Sequence, residues 1–175
     1  MRKIAHIINP VKAAKTSDLF VAQPVTFETM RVAREFARGK VAVELYTAQY
    51  PEDRSFVPDG FQPTRDLDRS VMDLGSFREK RKLPLIKDIL DRLYEAVDAE
   101  YMIYTNVDIA LMPHFYLAVD KFIDEGHDAF VINRRTISGR RKLVKDIPLM
   151  YAELGKPHPG HDCFVFRRDA YGKFK

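Results

Sequence analysis

Apolar and polar positions along the chain alternate between two periods. Short, mostly apolar runs at Ile4–Ile8, Val41–Tyr46, Tyr101–Tyr104, Asp128–Asn133 and Cys163–Phe166 have the length and β-branched content of strands. Between them, apolar residues recur three and four apart. Met30, Val32, Ala33, Phe36 and Ala37 form one such stripe, which predicts a helix from about Phe27 to Arg38, with Thr26 as N-cap and Gly39 as its stop. Pro84 to about Ala96 is the clearest helix, opened by proline and striped by Leu85, Ile86, Ile89, Leu90 and Leu93. Pro113 opens another, to about Asp124, closed by Gly126, and a short helix is expected near Ile147–Leu154.

The segment Gln49–Asp66, with Pro51, Pro58, Gly60 and Pro63, predicts a long loop. Leu67–Leu74 is compatible with a short strand or an irregular stretch. Arg134–Lys145 reads as a charged loop and Pro157–Gly160 as a turn. Strands alternating with helices predict an α/β protein: a three-layer α/β/α sandwich around a mostly parallel sheet with right-handed crossovers.

At 175 residues the chain is one domain by length, able to bury a core without staples. The single cysteine, Cys163, excludes an intrachain disulfide framework and is expected to pack as a small apolar side chain. A formal charge of +4 suits a phosphate-bearing ligand without requiring one. The basic clusters are interrupted and lack interleaved aromatics, so no nucleic-acid partner is expected. No apolar run reaches transmembrane length, and Ile4–Ile8 is too short and too quickly closed for a signal peptide. A cytoplasmic protein is the expectation.

The candidate chemistry gathers at predicted strand ends. Tyr101–Tyr104 gives way abruptly to Thr105, Asn106 and Asp108. On a continuing strand Asn106 and Asp108 face the same way, and two hard oxygen ligands on one face suit a divalent cation. The same residues also suit a helix N-cap or Asx-turn. Asp162 precedes the last strand and follows Gly160-His161, a place for a general base or for a plain turn carboxylate. Arg134 and Arg135 follow a strand directly, as bidentate phosphate ligands or as solvated loop residues. Lys82 lies before the helix at Pro84, where a helix N-terminus attracts anions. No Gly-x-Gly-x-x-Gly, P-loop, Gly-x-Ser-x-Gly or zinc-ligand spacing occurs.

In this order the segments resemble the nucleotide-diphospho-sugar transferases of the GT-A type. The residues carrying the resemblance are Leu83–Leu90, Asn106-Val-Asp108, the Pro-x-Phe-Tyr helix, Ala129–Arg135 and Gly160-His-Asp-Cys-Phe-Val-Phe166, so it is best over about residues 80 to 168. The resemblance implies Mn2+ or Mg2+ held by Asp108, with Asn106 as the second position, against the diphosphate of a nucleotide sugar. It implies a nucleotide-binding half, 1–105, to which Asn9 and Pro10 after the first strand belong with Lys82, and a metal and acceptor half, 106–175. Arg134 and Arg135 are phosphate contacts in this scheme, His161 a contact to metal, phosphate or acceptor, or a surface imidazole, and Asp162 matches the later acidic residue, which serves as catalytic base or acceptor contact.

Two departures stand out. Asn106 replaces the usual first aspartate, which removes a negative charge and opens metal independence. Family members usually continue beyond the last strand, so the chain reads as truncated, and a shortened sheet would expose an edge to a second copy. The expected activity is glycosyl transfer to an unknown acceptor. The alternatives are a non-catalytic nucleotide- or sugar-binding module of the same fold, and a nucleotidyltransferase.

Overall fold

A computed structural model of the chain describes residues 1–173. Six strands form one sheet in the order β3-β2-β1-β4-β8-β5: β1 is Arg2–Ile8, β2 Val41–Thr47, β3 Gln62–Pro63, β4 Tyr101–Thr105, β5 Ala129–Val131 and β8 Cys163–Arg167. β1 pairs in parallel with both β2 and β4, whereas β8 runs antiparallel to β4 and β5. The expected mostly parallel α/β sheet is therefore present.

The central strands β1 and β4 are apolar because both their faces are covered. Successive side chains alternate between two cores. Ile4, Ile8 and Ile103 face α1 (Asp18–Phe36) and α3 (Phe115–Asp124), meeting Met30, Ala33, Tyr116 and Val119. Ala5, Ile7 and Met102 face the opposite layer, where α2 (Ile86–Ala96) supplies Ile89 and Leu93. A short α5, Arg168–Gly172, adds Tyr171 to that second core. These layers make the three-layer sandwich.

Several element boundaries differ from the sequence expectation. α1 begins at Asp18, not near Phe27; the Ser17 hydroxyl caps it by accepting from the Leu19 N–H at 3.2 Å. Pro24 reads as a breaker yet lies inside this helix. Its ring removes only the bond to the Phe20 carbonyl, on a residue half exposed to water. Thr26 is thus an interior helical residue, 1% exposed, rather than a cap. α2 starts at Ile86 and α3 at Phe115, each two residues after its proline. β5 ends at Val131, so Ile132 and Asn133, expected in the strand, are irregular and separate it from Arg134. Leu67–Leu74 is irregular, with a 3-10 turn at Val71–Asp73 capped by Ser70. Within the expected loop 134–145, β6 (Arg135–Thr136) pairs antiparallel with β7 (Lys156–Pro157), and the helix after it, α4, is short, Ile147–Tyr151.

Candidate functional site

The site is built where β4 ends. His6, fully buried on β1, places one ring nitrogen 2.9 Å from the Thr105 hydroxyl and the other 2.9 Å from the Tyr116 hydroxyl. These bonds tie the last residue of β4 to β1 and α3. Burial holds the His6 imidazole neutral, its pKa lowered to about 3. Beyond Thr105, Val107 and Ile109 turn into the core while Asn106 is half-buried and Asp108 exposed. The alternation of apolar and polar residues continues past the strand and so turns 106 and 108 away from the core.

Asn106 and Asp162 hold each other across the β4–β8 pair. Asn106 Nδ2 donates to Asp162 Oδ1 at 2.9 Å, and the Asn106 backbone N–H reaches the Asp162 carbonyl at 3.3 Å. The Tyr104 hydroxyl donates to Asn106 Oδ1 at 2.8 Å. Burial, with Asp108 and Asp162 nearby, pushes the Tyr104 phenol up to about 12, so it remains a donor. An ionised carboxylate only accepts, which requires the amide nitrogen of Asn106 to face Asp162.

Arg134 joins the second carboxylate to the first. Its Nε lies 2.9 Å from Asp162 Oδ2, and a terminal nitrogen lies 3.5 Å from Asp108 Oδ2. The closer contact is an ion pair without hydrogen-bond alignment: Arg134 Nε and Asp162 Oδ2 are both buried and neither makes an aligned hydrogen bond. His158, which the sequence reading passed over, completes the cluster. Its Nε2 is 3.0 Å from an Arg134 nitrogen, and its Nδ1 is 2.9 Å from the Gly160 N–H. A neutral imidazole has one lone pair, so it accepts from one of these donors at a time. A Cβ on Gly160 would come within 2.8 Å of the His158 ring, so glycine allows the ring to fold back onto the turn.

The remaining expected site residues are elsewhere or otherwise engaged. Arg135 donates to the carbonyls of Leu154 and Gly155, so its guanidinium is tied to the turn between α4 and β7. His161 is exposed, its Nδ1 2.9 Å from Asn133 Oδ1. Asn9 donates to the Ala48 carbonyl at 2.7 Å and is buried beside Pro10. Lys82 is ion-paired with Glu52 and lies 3.9 Å over the Tyr50 ring. Asp108, Arg134 and Asp162, with His158, border a cavity of about 850 Å3 between α1, α3, α4 and residues 132–142; Asn9, Pro10, Lys82, Asn106 and His161 do not line it. Cys163 packs at its base as a buried thiol, pushed up to about 12 by burial.

Neither a protein family nor a curated protein matches the chain by sequence. Solved structures do match it by shape. Bifunctional IspDF from Campylobacter jejuni superposes with a TM-score of 0.54 at 8% identity, over 98% of this chain and 42% of that one. The 4-diphosphocytidyl-2C-methyl-D-erythritol synthase from Anaerococcus prevotii DSM 20548 gives 0.54 at 10% identity, over 99% and 75%. CMP:2-keto-3-deoxy-manno-octonic acid synthetase, solved with CTP, gives 0.51 at 14% identity, over 98% and 77%. The fold is nucleotide-diphospho-sugar transferase-like. At these identities the likeness concerns the fold, and the chain spans less than half of the first of these proteins.

The resemblance places a divalent cation at Asn106 and Asp108, and the side chains there can be tested against one. Asn106 presents an N–H toward Asp162, while its oxygen accepts from Tyr104. Asp108 and Asp162 share Arg134 between them. Among the described residues no three His, Cys, Asp or Glu side chains converge closely enough to hold an ion. In this arrangement the donor set does not fit a divalent cation, because a guanidinium occupies the space between the carboxylates. No helix among the described residues is long and apolar enough to cross a membrane.

Proposed function

We propose that this rim binds a nucleotide-diphosphate sugar and transfers the sugar to an acceptor hydroxyl. The observation that carries the reading is the Asp162–Arg134 pair, a carboxylate and a guanidinium in contact at 2.9 Å on the border of the cavity. Asp162 takes the proton of the attacking hydroxyl. Arg134 stabilises the diphosphate as negative charge develops on it. Asn106 fixes Asp162 through its side chain and backbone, acting as a positioning residue rather than a metal ligand. Asp108 holds the far side of the guanidinium. Positive charge in this scheme comes from Arg134, and no step passes through Mn2+ or Mg2+.

A nucleotidyltransferase is the second reading, favoured by the comparison with a synthetase that was solved with CTP. The two differ in the phosphorus chemistry released. Incubating the protein with UDP-, GDP- and CDP-hexoses, and separately with CTP or UTP plus a sugar phosphate, separates them. Glycosyl transfer frees a nucleoside diphosphate, and Asp162→Asn abolishes that release. Pyrophosphate release from the triphosphate would establish the second reading in its place. Binding without either product, unaffected by Asp162→Asn, would make the protein a nucleotide- or sugar-binding module.

A further inference from the structure

The short ladder beside the site sets one pair of side chains face to face. β6 and β7 pair Arg135 with Pro157 and Thr136 with Lys156, so the next step of that antiparallel register brings Arg134 opposite His158. Pro159 disfavours helical backbone at His158, and the bare Gly160 leaves room for the ring against the turn. The chain thus fixes where the imidazole lies, but the hydrogen bonds around it do not balance. Nδ1 is 2.9 Å from the Gly160 nitrogen and Nε2 is 3.0 Å from a terminal Arg134 nitrogen. Both neighbours are donors, and a neutral ring carries one lone pair. The Gly160 N–H has a direction set by the backbone and cannot turn elsewhere. The Arg134 side chain is 28% exposed and has other N–H groups to spend. The lone pair therefore belongs on Nδ1 and the proton on Nε2. Nε2–H then stands beside an Arg134 N–H, donor against donor, and no acceptor among the described residues serves both.

We infer that His158 Nε2–H and Arg134 together receive one oxygen of an anionic phosphate group, which makes His158 a substrate-binding residue. The inference rests on the diphosphate-sugar reading, which supplies the identity of the anion, and adds a second contact to it. A negatively charged oxygen set against both nitrogens turns the donor–donor contact into two charge-assisted hydrogen bonds. Both side chains border the cavity, and at 28% and 29% exposed each is open to a ligand. A cation finds no lone pair at this spot, because both nitrogens present hydrogens. In the transfer, the acceptor oxygen bonds to the anomeric carbon of the sugar and its proton passes to Asp162. The bond from that carbon to the diphosphate breaks, and its electron pair stays on the diphosphate oxygen. Nε2–H and Arg134 meet that developing charge, and the Nε2 proton remains on the ring.

Long-range 1H–15N NMR of histidine-labelled protein reads the ring directly, because a protonated and an unprotonated ring nitrogen resonate far apart. The probe is inorganic pyrophosphate, titrated in EDTA at mildly alkaline pH, and the His158 signals are assigned by their loss in His158→Gln. The free protein is expected to carry the His158 proton on Nε2. Saturating pyrophosphate should shift the Nε2–H signal and slow its exchange with water. His158→Phe, which keeps a ring and removes the donor, should weaken pyrophosphate binding by about tenfold. A proton on Nδ1 in the free protein would overturn the inference, since Nε2 would then simply accept from Arg134. So would an Nε2 signal left unmoved by bound pyrophosphate, a reading that needs no variant to fold, or an affinity unchanged in a folded His158→Phe. UDP, GDP and CDP in the same samples separate this failure from that of the parent reading. Anion or nucleotide binding that depends on Arg134 but leaves His158 Nε2 unmoved removes the histidine contact alone. No binding of pyrophosphate or of any nucleotide removes both.

Discussion

The two ends of the rim differ in how completely their polar groups are satisfied. At the β1–β2 end, Asn9 donates to Ala48, and Gln49 accepts from the Thr47 hydroxyl and donates to the Thr64 carbonyl and Asp66. Lys82 is held by Glu52 over Tyr50. At the β4–β8 end, Asp162 Oδ1 accepts from Asn106 and a terminal Arg134 nitrogen lies 3.0 Å from His158, but Arg134 Nε and Asp162 Oδ2 meet at 2.9 Å as a buried ion pair without hydrogen-bond alignment. Asparagine, glutamine and lysine at the first end do for the loops what backbone bonds do for strands. The second end holds a contact that is ionic but not directional. Residue type alone would rank these ends alike; satisfaction separates them.

The sharpest way to break this contrast is Asp162→Asn. It removes the charge and turns one of the two oxygens that serve Asn106 and Arg134 into an N–H donor, and it should lower transfer by roughly 10^2–10^4-fold, read as nucleoside diphosphate released per unit time. An effect below tenfold would show that Asp162 is a turn carboxylate.

A second test concerns His6, which ties the two ends together through Thr105. The unfolded chain takes a proton on this ring below its ordinary 6.5, while the folded protein does not until about pH 3. Stability is therefore complete above about pH 6.5 and falls as the pH drops from there toward 3, by up to about 1.4 kcal/mol per pH unit from this group. Urea unfolding at stepped pH should show that slope, and His6→Gln should flatten it even if it lowers stability throughout.

Smaller effects are expected at the closed end. Asn9→Ala leaves the Ala48 carbonyl without its donor and should cost about 1–3 kcal/mol of stability, with nucleotide affinity unchanged. Lys82→Ala breaks an exposed ion pair and should change stability by less than about 1 kcal/mol. A tenfold loss of nucleotide affinity in either variant would move the phosphate site to the β1–β2 end.

Much of the scaffold was legible in the sequence because burial writes it there. Tyr101–Tyr104 is a continuous apolar run since β4 is covered on both faces, and the stripe of α2 is regular since only one face is buried. The start of α1 was not legible: Pro24 argues locally for a break, and the tertiary contacts of Val25, Met30 and Ala33 outweigh it. In the candidate site, Asn106, Asp108 and Asp162 were legible as polar residues at strand ends, and the structure brings them together through Arg134. His158 was hidden by distance, four residues ahead of Asp162 across a turn that Gly160 alone allows to close. Asn106 read as a ligand because its spacing from Asp108 fits one; its partners, Tyr104 and Asp162, are visible only once β8 lies beside β4.

The central claim is that Arg134, rather than a metal, faces the diphosphate. Calorimetric titration of UDP, GDP and CDP into the wild-type protein and into Arg134→Met, each with EDTA and with Mn2+, tests it directly. The account predicts saturable binding of at least one nucleotide, equal in EDTA and in Mn2+, and at least tenfold weaker in Arg134→Met. Binding that requires Mn2+ and survives the loss of Arg134, or no binding of any nucleotide by the folded protein, would contradict it.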